Sequence, residues 1–395
     1  MNKIKETKSS RSFWEKVRKL FNDVHLWLGI ASGLILFVVC LTGTIYTFSE
    51  EIQEVLNPEL HQVEVVSDKE RLSEEKLIEE VKKQLPEGKI TPIYIPASDN
   101  KTIGVGFKKE GEKRRTTYLV DPYTAEVRGT NKGAGSDFFN FIFRLHRWLL
   151  LDIEIGRPIV GSATLIFIFI IISGWVIWFP QKIKNWRQGL KIKWNANWKR
   201  VNFDLHSTLG FYASFLLILM ALTGPKWSFE WYRKGIKDIL NTQEKAFKPT
   251  PYEYEIDQVE RPLSYRALIK IADEALPYNG NYRLHIPREG NALIALNKQK
   301  TGFFAPYGWD EIKMNRFTGE VVVLNKFSEK PLNEKIVQSL YALHAGTIYG
   351  TFSKILYFIA CLIATSLPIT GTIIWINKLG KKSKKRKKTL QQQAV

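Results

Sequence analysis

Hydrophobic and polar positions fall into alternating blocks along the chain. Four stretches are long, apolar and nearly free of charge: Leu26–Phe48, Pro158–Phe179, Leu209–Leu222 with its flanks, and Ile355–Ile376. A bilayer span needs about 20 apolar residues at a rise of about 1.5 Å each, and the first, second and fourth reach that length. The third is shorter and leans on Ser207 and Thr208 at one end and Trp227 at the other. Two polar blocks separate these spans and change the period. Arg71–Leu85 and Pro262–Leu276 carry apolar residues every three or four positions, which predicts amphipathic helices. Short β-rich runs follow each: Ile90–Ile95, Thr102–Phe107 and Thr116–Val120, then Tyr282–Ile286, Ala292–Leu296 and Glu311–Met314. Each block closes on a hairpin-like turn, Asp121–Val127 or Asn315–Val321, with Asp-Pro and Thr-Gly pairs as turn chemistry.

The pattern is a repeat. Asp23-Val24-His25-Leu26-Trp27-Leu28-Gly29 matches Asp204-Leu205-His206-Ser207-Thr208-Leu209-Gly210 at an offset of 181, and the register runs on from Leu41-Thr42-Gly43 to Leu222-Thr223-Gly224. Leu145-His146 matches Leu343-His344, and Ser173-Gly174-Trp175 through Trp178 matches Thr370-Gly371-Thr372 through Trp375. The fold class expected is an α+β membrane protein: four transmembrane helices in two pseudo-symmetric halves, each carrying an extracytoplasmic α+β domain.

Charge sets the orientation. The net charge of +19 is concentrated beside the spans, with seven Lys/Arg before Leu26, seven between Gln181 and Val201, and eight after Asn377. Basic residues in short membrane-flanking segments mark the cytoplasmic side, so both termini are expected inside the cell membrane and the two polar blocks outside. This distribution argues against nucleic acid as a partner and for membrane lipid. The first apolar run is too long for a cleavable signal and lacks an A-x-A-like site. Only Cys40 and Cys361 occur, both within spans, so there is no CxxCH and covalent c-type haem is excluded.

Four of the six histidines sit at membrane boundaries, one per span. His25 and His206 lie on the inner side; His146 and His344 lie on the outer side, on the apolar segments Phe138–Leu151 and Ile336–His344. Ionisable residues at membrane depth are expensive and usually functional. Two imidazoles per face, without Asp, Glu or Cys at that depth, make a poor zinc site. Haem iron needs only two axial ligands, and bis-imidazole haem fits the count. Gly43 and Gly224 at the outer end, and Gly174 and Gly371 at the inner end, would let a flat macrocycle approach the helix backbone. Arg144, Arg147 and Arg157 outside, with Lys19 and Arg200 inside, are candidate partners for propionates. His61 and His285 do not align with each other and read as ordinary surface or sheet residues.

These features together carry a family likeness. His25-x-x-x-Gly29 with Leu41-Thr42-Gly43, His206-x-x-x-Gly210 with Leu222-Thr223-Gly224, and Ser173-Gly174 and Thr370-Gly371 followed by tryptophans resemble the PepSY-associated transmembrane family, also described as iron-regulated membrane proteins. The likeness covers about Trp14–Asn377. It implies two b-type haems (heme b) held by His25 with His206 and by His146 with His344, and reduction of ferric chelates such as siderophores on the outer side. It also implies an electron donor, which has to be a separate cytoplasmic reductase or a membrane quinol, since no flavin or dinucleotide fingerprint occurs here. One departure is Ala125, where the first PepSY turn normally has glycine; Gly319 keeps it.

The domain order expected is a basic cytoplasmic N-terminus (1–25), a span (26–48), a first PepSY-like domain (49–136), an interfacial helix (137–151) and a span (158–179). A basic loop (180–203), a span (204–226), a second PepSY-like domain (227–332), an interfacial helix (333–350), a span (351–376) and a basic tail (377–395) complete it. The function expected is that of a di-haem oxidoreductase conducting electrons across the membrane. The alternatives are a permease, which would need polar groups inside the spans, and a PepSY-type binding module without redox activity.

Overall fold

The computed structural model describes residues 13–65, 70–85, 88–109, 111, 115–180, 183–242, 261–287 and 290–393. The early N-terminal lysines that contribute to the orientation argument lie outside this set.

Among the described residues, four helices are long and apolar enough to cross a membrane. The first is α1 (Phe13–Tyr46), followed by the short α2 (Ser49–Leu56) and α3 (Pro58–His61). Helix α4 (Glu74–Gln84) packs on the sheet, α5 (Ser136–Trp148) leads into the second span α6 (Ile153–Trp178), and the third span runs Trp198–Trp227. That span is composite: α7 (Trp198–Asp204), a π-helical turn (Leu205–Leu209), α8 (Gly210–Thr223) and a 3-10 turn (Gly224–Trp227). Then come α9 (Glu230–Ile239), α10 (Tyr265–Ala275), α11 (Leu332–Ala345) and α12 (Gly350–Gln393), whose stretch to Gly380 is the fourth span. The short α2 and α9 fall inside blocks read from the sequence as domain, without helices of their own.

In the bundle, α1 packs against α6 and α12, and α8 packs against the same two. Its buried centre is made by Ile171, Ala213, Leu217, Ala221, Ala360 and Ala364. The alanines suit lipid surroundings, where close backbone approach replaces the hydrophobic effect as the force between helices.

The sheet is where the structure departs from the sequence pattern. The two groups of strands do not form two small sheets. Strands β1 (Lys89–Ile95), β2 (Ile103–Lys108), β3 (Thr116–Val120) and β4 (Val127–Thr130) join β5 (Gly280–His285), β6 (Leu293–Lys300), β7 (Asp310–Asn315) and β8 (Val321–Asn325) in one antiparallel sheet of order β4-β3-β2-β1-β5-β6-β7-β8. The seam pairs Ile93 with Leu284, Tyr94 with Arg283 and Ile95 with Tyr282. Alternate residues therefore share a face. Ile93, Ile95, Ile103, Val105, Leu284, Leu296 and Ile312 make one core with Leu77 and Val81 of α4 and Leu268 and Ala272 of α10.

The two sets of local elements are built alike. Ser73 and Ser264 cap α4 and α10, accepting from the amides of Lys76 (3.3 Å) and Ala267 (3.2 Å). Each hairpin turn is held by its first side chain. Asp121 accepts from Tyr123 and Thr124, at 2.8 and 3.3 Å; Asn315 accepts from Phe317 and Thr318 at the same distances. The fifth turn residue is left-handed in both, Ala125 at φ 61° and Gly319 at φ 77°. Alanine thus takes the glycine conformation, at a cost of about 1–2 kcal/mol, with its methyl group buried in the core.

Because the seam unites the halves, they should unfold together. Leu284, fully buried at the seam, should lose about 2–5 kcal/mol of sheet stability as Leu284→Ala. Thermal unfolding followed by circular dichroism should show one shifted transition; a separate, unmoved transition for the first four strands would contradict a shared core.

Candidate functional site

Each of the four boundary histidines is seated by another helix. His25 on α1 faces the C-terminal end of α6: its Nδ1 donates to the Ile170 carbonyl (3.0 Å) and lies 2.9 Å from Ser173 Oγ. His206, in the π-helical turn, places Nδ1 2.9 Å from Thr370 Oγ1 of α12, with the Leu367 backbone as second partner. At the other end of the bundle, His146 on α5 donates from Nδ1 to the Val39 carbonyl (2.9 Å) and reaches Thr42 Oγ1 (3.2 Å). His344 on α11 does the same with the Met220 carbonyl (3.1 Å) and Thr223 Oγ1 (3.2 Å).

The four seats share one chemistry. Each hydroxyl spends its own hydrogen on its helix: Thr42 on Val38 (2.7 Å), Ser173 on Ile170 (2.9 Å), Thr223 on Leu219 (2.8 Å), Thr370 on Ser366 (3.0 Å). Its oxygen can then only accept from the imidazole. A carbonyl can only accept too, so Nδ1 carries the proton in each ring and Nε2 keeps the lone pair. The next residue on the seating helix is glycine, and the imidazole edge fills the place of its side chain. A Cβ would stand 3.2 Å from Cε1 of His146 at Gly43, 3.5 Å from that of His25 at Gly174, 3.4 Å from that of His344 at Gly224 and 3.1 Å from that of His206 at Gly371. These glycines were expected to admit a flat ring system; the structure sets the imidazole edge of a histidine beside each of them.

The seats bring the rings together in couples. His25 and His206 have centroids 6.3 Å apart with planes at 88°; His146 and His344 stand 6.4 Å apart at 62°. Two metal–nitrogen bonds of about 2 Å plus the two ring radii put a pair of imidazoles on one iron at about 6–6.5 Å between centroids. The residues present therefore fit bis-histidine ligation, with each Nδ1 anchored in the manner of metal-ligating histidines. One turn beyond His25, a side chain at Gly29 would meet no atom within 4 Å, so that helix face is open beside the ring. Among the described residues, no three His, Cys, Asp or Glu side chains gather as a metal group. Burial and the neighbouring imidazole hold His344 down to about 4, and burial lowers His146, so both are neutral.

The couples occupy opposite ends of the bundle. His25 and Gly43, which seats His146, are eighteen residues apart on α1, about 27 Å of helix.

Other expected groups are placed less centrally. Arg144 is exposed, and Arg147 lies over Phe143 (5.3 Å) and Trp148 (5.7 Å). Arg157 lies over Trp148, with a buried Nε that has no partner. Lys19 is exposed, and Arg200 is taken by Asp204 at 2.9 Å. His285 bonds Asn297 (2.9 Å) and His61 ends α3, both apart from the couples.

Sequence reasoning missed Thr42, Ser173, Thr223 and Thr370 as functional groups, although a Ser/Thr precedes every one of the four glycines. It also missed Asp204, almost fully buried two residues before His206, which receives the Lys193 amide (3.2 Å) and Arg200. Together with the π turn, a feature frequent at functional sites, this fixes how His206 enters the bundle.

Filling a seat should displace its ring. Gly371→Ala and Gly43→Ala should each lower the thermal unfolding midpoint of the detergent-solubilised protein by several degrees, followed by circular dichroism, whereas Gly235→Ala, with open space around it, should not lower it.

A family model for the PepSY-associated TM region matches residues 23–378. No curated protein matches the chain. The matched segment takes in all four spans, both groups of strands and both histidine couples, and the chain belongs to the family of the PepSY-associated transmembrane region.

Proposed function

We propose that this multi-pass membrane protein transfers electrons across the cytoplasmic membrane to ferric chelates of the siderophore kind on its outer side, holding two b-type haems as resident cofactors. The reading rests on one observation: four imidazoles in two couples, 6.3 and 6.4 Å apart, each with Nδ1 tied to a neighbouring helix. His25 and His206 would hold one haem and His146 and His344 the other. When bound, the iron supplies one-electron exchange between ferric and ferrous states. The chain's residues do the rest. Ser173, Thr370, Thr42 and Thr223 keep each ring in one tautomer, and Gly174, Gly371, Gly43 and Gly224 let it sit against the helix. The apolar bundle excludes water from both sites.

Orientation follows from the flanking charge. Basic segments beside the inner couple are cytoplasmic, so both termini lie inside and the eight-stranded sheet outside. The chain is then two pseudo-symmetric halves whose PepSY-like domains, 49–136 and 227–332, are fused by the seam, above spans close to 26–48, 158–179, 204–226 and 351–376. Segments 137–151 and 333–350 lie at the outer interface; 1–25, 180–203 and 377–395 lie inside. The donor is a separate cytoplasmic reductase or a membrane quinol. Arg147 and Arg157, over Trp148, and Lys226, over the Trp227 ring that packs against His344, are candidate cations for an acid group at the outer site, and exposed Arg144 is a further candidate. Reduction weakens the hold of a ferric chelator and frees ferrous iron.

Purified protein should contain two haems per chain, and His25→Ala and His146→Ala should each leave one. In proteoliposomes with reductant trapped inside, an external ferric chelate should be reduced, and either substitution should slow this at least tenfold. A colourless protein, or one whose haem content ignores both substitutions, defeats the reading.

A further inference from the structure

The connection between β6 and β7 is built onto the membrane end of α12. Its backbone is clamped there at several points. The Tyr307 amide donates to the Ile348 carbonyl (2.8 Å), Pro306 bridges Tyr349, and the Phe352 amide donates to the Phe303 carbonyl (3.1 Å). The last bond satisfies one of the first amides of α12, which have no partner within their own helix. Gly350 permits the approach: it sits at φ 57°, and a Cβ there would stand 2.6 Å from the Gly302 oxygen and 3.0 Å from that of Phe303. No other residue type holds that conformation in that space without strain.

The clamp displays apolar rings. Phe303 and Phe304 are 51% and 64% exposed, and Phe352 is 40% exposed. They touch one another, with centroids 4.8 Å apart for Phe303 and Phe304 and 4.9 Å for Phe304 and Phe352. Phe352 lies in the first turn of the fourth span. From it an exposed stripe runs down α12 through Ile355, Leu356, Ile359 and Leu362, at the three- and four-residue spacing of one helix face. On a membrane span such an exposed apolar face suits lipid, and the two loop phenylalanines prolong it upward. Beside them Lys354 pairs with Glu51 at 2.6 Å, a polar contact that sets this level at the bilayer interface, where aromatic rings are favoured.

We propose that Phe303 and Phe304 dip into the outer leaflet, so that the sheet is anchored to lipid as well as to the bundle. The occupant is the acyl–headgroup boundary of the bilayer. This anchor fixes the height of the sheet above His344, which precedes the clamped connector. The inference rests on the membrane spans and not on the haem reading.

The test places a fluorescent label at Phe304→Cys in a full chain carrying Cys40→Ala and Cys361→Ala, in phosphatidylcholine nanodiscs. Its emission should shift to the blue, be quenched by lipid spin-labelled near the headgroup, and be shielded at least fivefold from aqueous iodide relative to a label at Glu79→Cys on α4. Ready quenching by iodide overturns the proposal. So does shielding from both quenchers, which would mean that a second copy or a protein partner covers the rings. In the unsubstituted protein, a photoreactive lipid with its diazirine near the headgroup should label the peptide containing Phe303 and Phe304; its absence among labelled peptides also refutes the anchor.

Discussion

Everything at the two sites depends on one hydrogen-bond arrangement: an imidazole Nδ1 shared between a backbone carbonyl and the hydroxyl three residues later on a neighbouring helix. The geometry recurs at Ile170 and Ser173, Val39 and Thr42, Met220 and Thr223, and Leu367 and Thr370. In an apolar bundle such a contact is close to obligatory, because an unpaired buried polar group costs about 1–3 kcal/mol. It fixes the tautomer and the ring rotation, and it leaves only Nε2 for anything between the two rings of a couple. A histidine serving solely as a structural pin needs the first nitrogen alone. Nothing in that role accounts for two couples, each brought to nearly the same separation.

The same bonds brace the bundle. Helix α1 carries His25 and also seats His146; the third span carries His206 and also seats His344. Each of these helices is tied at one end through its own histidine and at the other through its Thr-Gly pair. His146 and His344 come from α5 and α11, which are not spans, so their couple depends on how those helices are tethered. Gly346 at φ 78° ends α11, while Leu149 and Leu150 at φ 56° and 60° end α5. Two leucines in left-handed geometry cost about 1–2 kcal/mol each. That turn brings α6 against α5 so closely that a Cβ at Gly156 would collide with the Trp148 carbonyl.

Much of this was legible in the sequence, and the reasons differ by level. The spans follow from apolar length, a strong signal, although α1 begins thirteen residues before the predicted edge at Leu26. The strands and the turns at Asp121 and Asn315 follow from local alternation and turn chemistry. The single sheet does not, because pairing between β1 and β5 joins residues such as Ile93 and Leu284 that no local pattern connects. The pairing of the histidine rings was legible from the repeat and from the end of the spans at which each histidine falls. The hydroxyls were visible as Thr-Gly and Ser-Gly, yet a Thr in an apolar span ordinarily bonds back to its own helix. Thr42, Thr223 and Thr370 all donate in that way; the second bond, accepted from a histidine on another element, exists only once the helices pack.

The seam between β1 and β5 also constrains the couple of His146 and His344. Separate domains on α1 and on the third span could tilt independently, and each would carry its own interfacial helix. A shared core of Ile93, Ile95, Tyr282 and Leu284 removes that freedom. The first half is tied below through Asn57, whose side chain accepts from the Ala134 amide and donates to the Ala134 carbonyl at 3.0 Å, just before α5 begins. The second half is tied through the Phe303–Tyr307 clamp, just after α11 ends. The helices that carry His146 and His344 are thus both fastened to one sheet. A ring separation of about 6 Å tolerates little drift if both nitrogens are to reach one metal. Fusing the two strand sets meets that demand where flexible loops between independent domains would not.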